Sequence, residues 1–150
     1  MDAKPDYSFE REVLVRFAHC DPAGIVYFPQ YLVLFNGHVE DWFNEGLGIG
    51  YAHFIGERRC GLPMVKLDCE FKAPSKMGER LTLSLGVTKI GNSSIALQLR
   101  ASAQGQLRVL SNQVLVTTSL DTNKSIPIPG DLRHALERCV AELGGLRTPC

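Results

Sequence analysis

From Pro63 onward the periodicity of the chain switches to that of strands. Leu81, Leu83, Leu85 and Val87 alternate with Thr82, Ser84, Gly86 and Thr88, and Ile95, Leu97 and Leu99 repeat the pattern. A period of two gives a strand one buried and one exposed face. The spacing predicts strands over 64–71, 80–89, 94–102 and 107–120, with Gly91-Asn92-Ser93 and Gln104-Gly105-Gln106 as hairpin turns. An earlier strand over 13–17 follows from Val13, Val15 and Phe17 alternating with Leu14 and Arg16. Between these regions the period lengthens. Tyr31, Leu32, Leu34, Phe35, Val39, Trp42 and Phe43 predict a helix over about 29–45. Pro29 suits its first position, and Gly46 is the expected stop. Its apolar positions cover more than one face, so it should be deeply buried.

Several residues in and after this helix carry their own expectations. Gly37, near the middle, costs about 1 kcal/mol against Ala, a cost that close backbone contact with a sheet would offset. His38, Glu40 and Asp41 should face solvent. Residues 46–61 form a Gly-rich connection with a short helical turn around Tyr51, Phe54 and Ile55, and loops of such length tend to be functional. Arg58 and Arg59 stand there as solvated charge or as phosphate contacts. Pro127, Pro129 and Gly130 end the sheet. Asp131 should then cap a last helix over 132–143, with Leu132, Ala135, Leu136, Cys139, Val140 and Leu143 on one stripe. Residues before about Ser8 and the tail from Gly144 should be loose. One strand, one long helix and an antiparallel meander make an α+β domain spanning 1–150, with a core of about 8–143.

Charge narrows the partners. Lys plus Arg and Asp plus Glu each total 16, so no net charge draws the chain to nucleic acid or to a membrane surface. Met1 to Asp6 lacks the apolar core of a signal peptide, and no apolar run approaches a membrane span, which makes the cytoplasm the expected compartment. The five cysteines form no Cys-x-x-Cys pair and are expected to be reduced thiols. Cys20 adjoins His19, but neighbours on an extended segment point to opposite faces, so His19 is poorly placed as its base. The four histidines lack metal-ligand spacing, and no metal is implied.

The candidate chemistry lies in the thirteen residues from His19 to Tyr31. Asp21 falls in a turn before a helix start, facing the electropositive, amide-rich end of that helix. A carboxylate there is often only a cap or dipole partner. With a free N–H to hold a developing oxyanion, it is also the minimum apparatus for acyl transfer. The whole string decides between the two. Asp21-Pro22-Ala23-Gly24-Ile25-Val26, two aromatics, Pro29 and Tyr31 resemble the signature of the 4-hydroxybenzoyl-CoA thioesterase family of hot-dog-fold proteins. The likeness continues in Gly61-Leu62-Pro63-Met64-Val65, then in Phe71-Lys72-Ala73-Pro74 followed by Gly78-Glu79-Arg80-Leu81, and spans about Val13 to Asp121.

The resemblance implies a curved five-stranded antiparallel sheet wrapped around the long central helix, beside the C-terminal helix already predicted. It implies hydrolysis of an acyl-CoA thioester, with an aromatic acyl group of the 4-hydroxybenzoyl type. Coenzyme A would be part of the substrate, and no separate cofactor is called for. Asp21 is carried over as the catalytic carboxylate, either nucleophile or general base. The Phe28 backbone N–H would polarise the carbonyl, and Gly24 would keep the turn free of a Cβ where substrate approaches. Tyr27, Phe28 and Met64 are candidates for the acyl wall, with core packing as the competing assignment. Lys89, Ser93 and Ser94 are candidates for the CoA phosphates, although Gly91 and Asn92 replace arginines that some relatives carry. Relatives of this kind are dimeric or tetrameric with sites at the dimer interface, and pairing would cover an open sheet edge. Three other readings remain open: a short-chain aliphatic thioesterase, a hydratase-like relative, and a catalytically silent acyl-CoA-binding module. An intact Asp21 argues against the last.

Overall fold

The computed structural model describes residues 9–144. The expected looseness of residues before Ser8 and beyond Gly144, and the side chain of Leu143, lie outside what it describes. In chain order the elements are β1 (Phe9–Leu14), α1 (Phe28–Asp41), β2 (Cys60–Gly61), β3 (Met64–Phe71), β4 (Arg80–Ile90), β5 (Ser94–Ala103), β6 (Gln106–Val116), β7 (Thr118–Ser119) and α2 (Gly130–Gly144). Five of the strands form one antiparallel sheet in the order β1-β4-β5-β6-β3, and β2 pairs with β7.

The alternating pattern explains the buried face. Leu85 pairs with Leu99, and Leu99 with Ser111; one row over, Leu83 pairs with Ala101, and Ala101 with Val109. The apolar side of these rows meets Phe35, Trp42 and Phe43 of the central helical segment, and Leu132 and Leu136 of α2, all fully buried in one cluster. Removing so many large side chains from water is the main stabilising term.

Several boundaries move for physical reasons. The first strand is Phe9–Leu14, not 13–17. Val15 leaves the ladder to donate its N–H to the Glu79 carbonyl (2.8 Å), and Phe17, 80 % exposed, opens a single 3-10 turn. α1 continues as a π-helical turn over Trp42–Leu47 and stops at Gly48, whose φ of 70° is left-handed. Gly46 is therefore not the stop. A Cβ there would lie 2.7 Å from Trp42 Cδ1, so packing against the indole demands a glycine. Gly37 shows the reverse: among the described residues nothing lies within 4 Å of a Cβ placed on it, so they do not supply the expected close contact.

His38 is also corrected, being 2 % exposed instead of solvent-facing. Its ring packs on Phe9 at 5.0 Å with Nε2 3.2 Å from the Phe9 carbonyl, because β1 already begins at Phe9. Burial holds its pKa below the usual imidazole value, against the opposing pull of that carbonyl and of Asp41 and Glu10. The 46–61 connection does contain a helical turn, at His53–Glu57. Arg58 forms a two-pronged pair with Asp131 (2.7 and 2.8 Å), and Arg59 reaches Asp121 at 3.1 Å. Both arginines thus pair with carboxylates. Asp131 lies in the first turn of α2, which begins at Gly130 instead of 132, and its carboxylate takes the backbone N–H groups of that turn. The strand expected over 107–120 breaks at buried Thr117, whose hydroxyl donates to the Ile126 carbonyl at 2.7 Å. Cys20, Cys60 and Cys69 are free thiols.

Candidate active site

The turn between β1 and α1 is built from backbone hydrogen bonds around Asp21. Its N–H donates to the Ile25 carbonyl and its own carbonyl accepts from Gly24, both at 2.9 Å. Oδ1 accepts the Ala23 N–H at 2.9 Å, which orients the carboxylate; Oδ2 takes no hydrogen bond among the described residues. Gly24 adopts φ 79°, and no described residue comes within 4 Å of a Cβ placed on it, so the left-handed backbone, more than a close approach, calls for glycine. Val26 and Tyr27 donate to the carbonyls of Ser75 and His19, both at 2.9 Å. Phe28 opens α1, and its N–H finds no acceptor among the described residues. It is one of the orphan donors of a helix start.

Two clefts flank the Tyr27–Phe28 pair. One, of about 270 Å³, is lined by Asp21 with His19, Cys20, Tyr27 and Gln30. The other, of about 310 Å³, is lined by Phe28 with Ile25, Tyr31, Phe71, Ala73 and Pro74. Phe28 is 56 % exposed and Tyr27 52 %, so neither is core packing. Phe28 meets Phe71 edge-on, with centroids 5.8 Å apart at 76°, and Tyr31 lies 6.0 Å from the same ring. Phe71 and Tyr31 were not among the candidates read from sequence. Phe71 sits in the alternation of β3 and reads as core, but β3 is an edge strand and leaves it half exposed.

Other candidates lie apart from this turn within one chain. Met64, at the opposite end of β3 from Phe71, lines a separate cleft of about 310 Å³ with Leu32, Val33, Asn36, Leu67 and Gln113. Lys89, Ser93 and Ser94 stand at the far end of β4, whose 11 residues span about 35 Å at the usual strand rise. There Arg133 of α2 donates to the carbonyls of Gly91 (2.6 Å) and Asn92 (3.1 Å), a cation at the hairpin that sequence reasoning missed. Its signal was buried in the periodicity of α2. Cys20 donates its thiol to the Arg16 carbonyl at 3.4 Å and His19 Nδ1 accepts the Arg16 N–H at 2.9 Å, so thiol and imidazole each bond backbone instead of one another. No cluster of three or more His, Cys, Asp or Glu side chains suited to a metal occurs among the described residues, and no helix among them is long and apolar enough to cross a membrane.

Behind the turn is a polar chain. Tyr31 donates its hydroxyl to Ser75 Oγ at 2.9 Å. Arg108, 4 % exposed, donates to Ser75 Oγ (3.3 Å), to the Pro74 carbonyl (2.9 Å) and through both Nη atoms to Glu79 (3.0 and 2.9 Å). That fork, with the Lys76 N–H next, pulls the Glu79 carboxyl down to about 2. Burial raises the Tyr31 hydroxyl, against the lowering effect of Ser75 and Arg108.

A five-stranded antiparallel sheet packed on one long helix, with a second helix at the C-terminus and an acid in the turn before the first, is the hot-dog fold of thioesterases. Residues 15–136 match the model of the Thioesterase-like superfamily, and the chain belongs to that superfamily. It is 29 % identical over 133 residues to a 1,4-dihydroxy-2-naphthoyl-CoA hydrolase of Synechococcus elongatus, covering 88 % of this chain and 96 % of that one. A crystal structure of a 1,4-dihydroxy-2-naphthoyl-CoA thioesterase from Synechocystis superposes with a TM-score of 0.78 at 27 % identity, covering 85 % of this chain and 94 % of that one. A thioesterase superfamily protein from Jannaschia sp. CCS1 superposes with a TM-score of 0.84 at 28 % identity, covering 93 % and 97 %.

Proposed function

We propose that this protein is an acyl-CoA thioesterase acting on aromatic acyl groups, with Asp21 as its catalytic carboxylate. One observation carries the reading: Asp21 is oriented through Oδ1 with Oδ2 unbonded, on the turn that ends in the free Phe28 N–H. Two routes share this geometry. As general base, Oδ2 takes a proton from water while the water oxygen attacks the thioester carbonyl. As nucleophile, Oδ2 attacks the carbonyl itself, and water then hydrolyses the mixed anhydride. In both, the Phe28 N–H holds the oxyanion until its collapse expels the CoA thiolate.

The aromatic assignment rests on the slot formed by Phe28, Phe71 and Tyr31, and on the naphthoyl-CoA substrate of the relatives. Edge-on ring pairing is worth about 0.5–1.5 kcal/mol beyond buried area, or roughly a tenfold preference. The 4-hydroxybenzoyl and 1,4-dihydroxy-2-naphthoyl thioesters are the two ring systems to compare. The test measures kcat/KM for these and for short aliphatic acyl-CoAs in the parent and in Phe28→Ala. The parent should favour the aromatic thioesters, and the variant should lose about tenfold on them alone. A parent that prefers aliphatic chains, or a variant that loses both classes equally, removes the aromatic assignment. No hydrolysis of any acyl-CoA removes the thioesterase reading.

The working unit is a homodimer or a larger even assembly. β3 is an eight-residue edge strand, and its Met64, Val65, Leu67 and Phe71 are all exposed. An uncovered apolar edge of that length is an aggregation hazard unless a second strand pairs with it. Met64 pairs with Leu115 at the end of the sheet that carries the 91–93 hairpin, and Phe71 pairs with Val109 at the Asp21 end. Antiparallel pairing of two β3 strands across a two-fold would therefore lay one copy's Met64 end beside the other's Phe71. It would also bring Lys89, Ser93 and Ser94 of one copy toward the acid of the other, which suits CoA phosphates bound across the interface. Sedimentation at micromolar concentration should give a species of at least twice the 16.6 kDa chain mass. A lone 16.6 kDa species contradicts the assembly.

A further inference from the structure

We propose that the buried chain Tyr31–Ser75–Arg108–Glu79 is a positioning device that holds the Asp21 turn and the start of α1 in one geometry. The reacting turn has little regular structure of its own and hangs on the connection between β3 and β4. The Ser75 carbonyl accepts the Val26 N–H (2.9 Å), the Gly24 carbonyl accepts the Met77 N–H (3.0 Å), and Val15 exchanges hydrogen bonds with Gly78 and Glu79 (2.8 Å each). That connection is itself irregular and needs an external anchor. Arg108 of β6 supplies it twice. Its carbonyl accepts the N–H groups of Lys72 (2.8 Å) and Ala73 (3.2 Å), and its guanidinium holds the Pro74 carbonyl, Ser75 and Glu79 together.

Ser75, fully buried, is the common reference point. Its carbonyl fixes the turn carrying Asp21, and its hydroxyl receives Tyr31, one turn into the helix whose first N–H is that of Phe28. A buried ion pair is weak evidence of stability in itself, since apolar residues of similar volume would serve as well. What the planar guanidinium fork supplies is direction. Because misplacing a reacting group by about 1 Å can cost about 100-fold in rate, two groups referred to one rigid anchor are worth holding there. Tyr31 and Arg108 are positioning residues on this account and need not touch substrate through their polar ends.

The kinetic half of the test rests on the thioesterase reading; the exchange half does not. Tyr31→Phe removes one hydroxyl and keeps the ring, and Arg108→Lys keeps the charge and loses the fork. In each, kcat on benzoyl-CoA should fall about tenfold with KM within about twofold of the parent. The Val26 amide, bonded to Ser75, should exchange with solvent about tenfold faster. Thermal melting of Tyr31→Phe should move by only a few degrees. Parent-like kcat with faster exchange overturns the proposal, as does a kcat loss with unchanged exchange, or parent-like values of both readouts in either variant. A parent that hydrolyses no acyl-CoA sinks the thioesterase reading instead, and unchanged Val26 exchange in the variants then overturns the anchor while faster exchange supports it.

Discussion

Asp21→Asn is expected to leave the fold and ligand binding intact while lowering kcat by about 10²–10⁴, and by more if Asp21 is the nucleophile. The swap is nearly isosteric. An asparagine oxygen can still accept the Ala23 N–H that Oδ1 now takes at 2.9 Å, so the turn keeps its shape. The amide, however, neither removes a proton from water nor attacks a thioester. Free-thiol release from an aromatic acyl-CoA gives the rate, and calorimetric binding of the same thioester to the variant gives the affinity. Turnover within a few-fold of the parent would remove Asp21 from the chemistry and turn attention to Glu40 and Asp41. The structure makes those two poor substitutes. They lie at the far end of α1, about 18 Å along the axis from Phe28 at the usual helical rise, and Asp41 pairs with Arg11 at 3.5 Å.

The second large effect concerns Arg108. Replacing it with Met should cost about 3 kcal/mol at pH 7, the low end of the range for stranding the partner of a buried ion pair, because Glu79 is partly exposed. The loss has a pH signature. Glu79 titrates near 2 in the fold against 4.5 for a free carboxyl, so its contribution is complete above pH 4.5. It disappears as pH falls from there through about 2. Urea unfolding at pH 7 and at pH 3 should therefore show a wide gap between parent and Arg108→Met that narrows in acid. A gap of under 1 kcal/mol at pH 7, or one that stays constant to pH 3, would mean the fork contributes no stability of its own.

Local pattern was enough for the strands of the meander, because a two-residue period with one buried face is a property of neighbours in sequence. It was enough for α1 and α2 as elements, and for the spacing that puts Asp21 before a helix start. The boundaries were harder, since they depend on hydrogen bonds to distant partners. Val15 leaves β1 for the Glu79 carbonyl, and β6 ends where Thr117 turns to Ile126. Gly46 and Gly48 look alike in sequence, yet one packs under Trp42 and the other turns left-handed.

What the sequence by itself determined was the repertoire: an α+β chain with alternating strands, one long apolar helix, and a carboxylate in the turn that precedes it. The tertiary structure alone decided who faces whom. His38 is buried because Phe9 of β1 packs on its ring, and Phe71 is half exposed because β3 takes the sheet edge. Lys89 and the serines of the 91–94 hairpin stand a strand's length from Asp21, since an antiparallel meander sends successive turns to opposite ends of the sheet. Ser75 and Arg108, 33 residues apart, meet behind the Asp21 turn without any periodic signal to announce it. Hydrophobic pattern is written in local spacing, whereas polar partnership depends on the register of strands far apart in the chain.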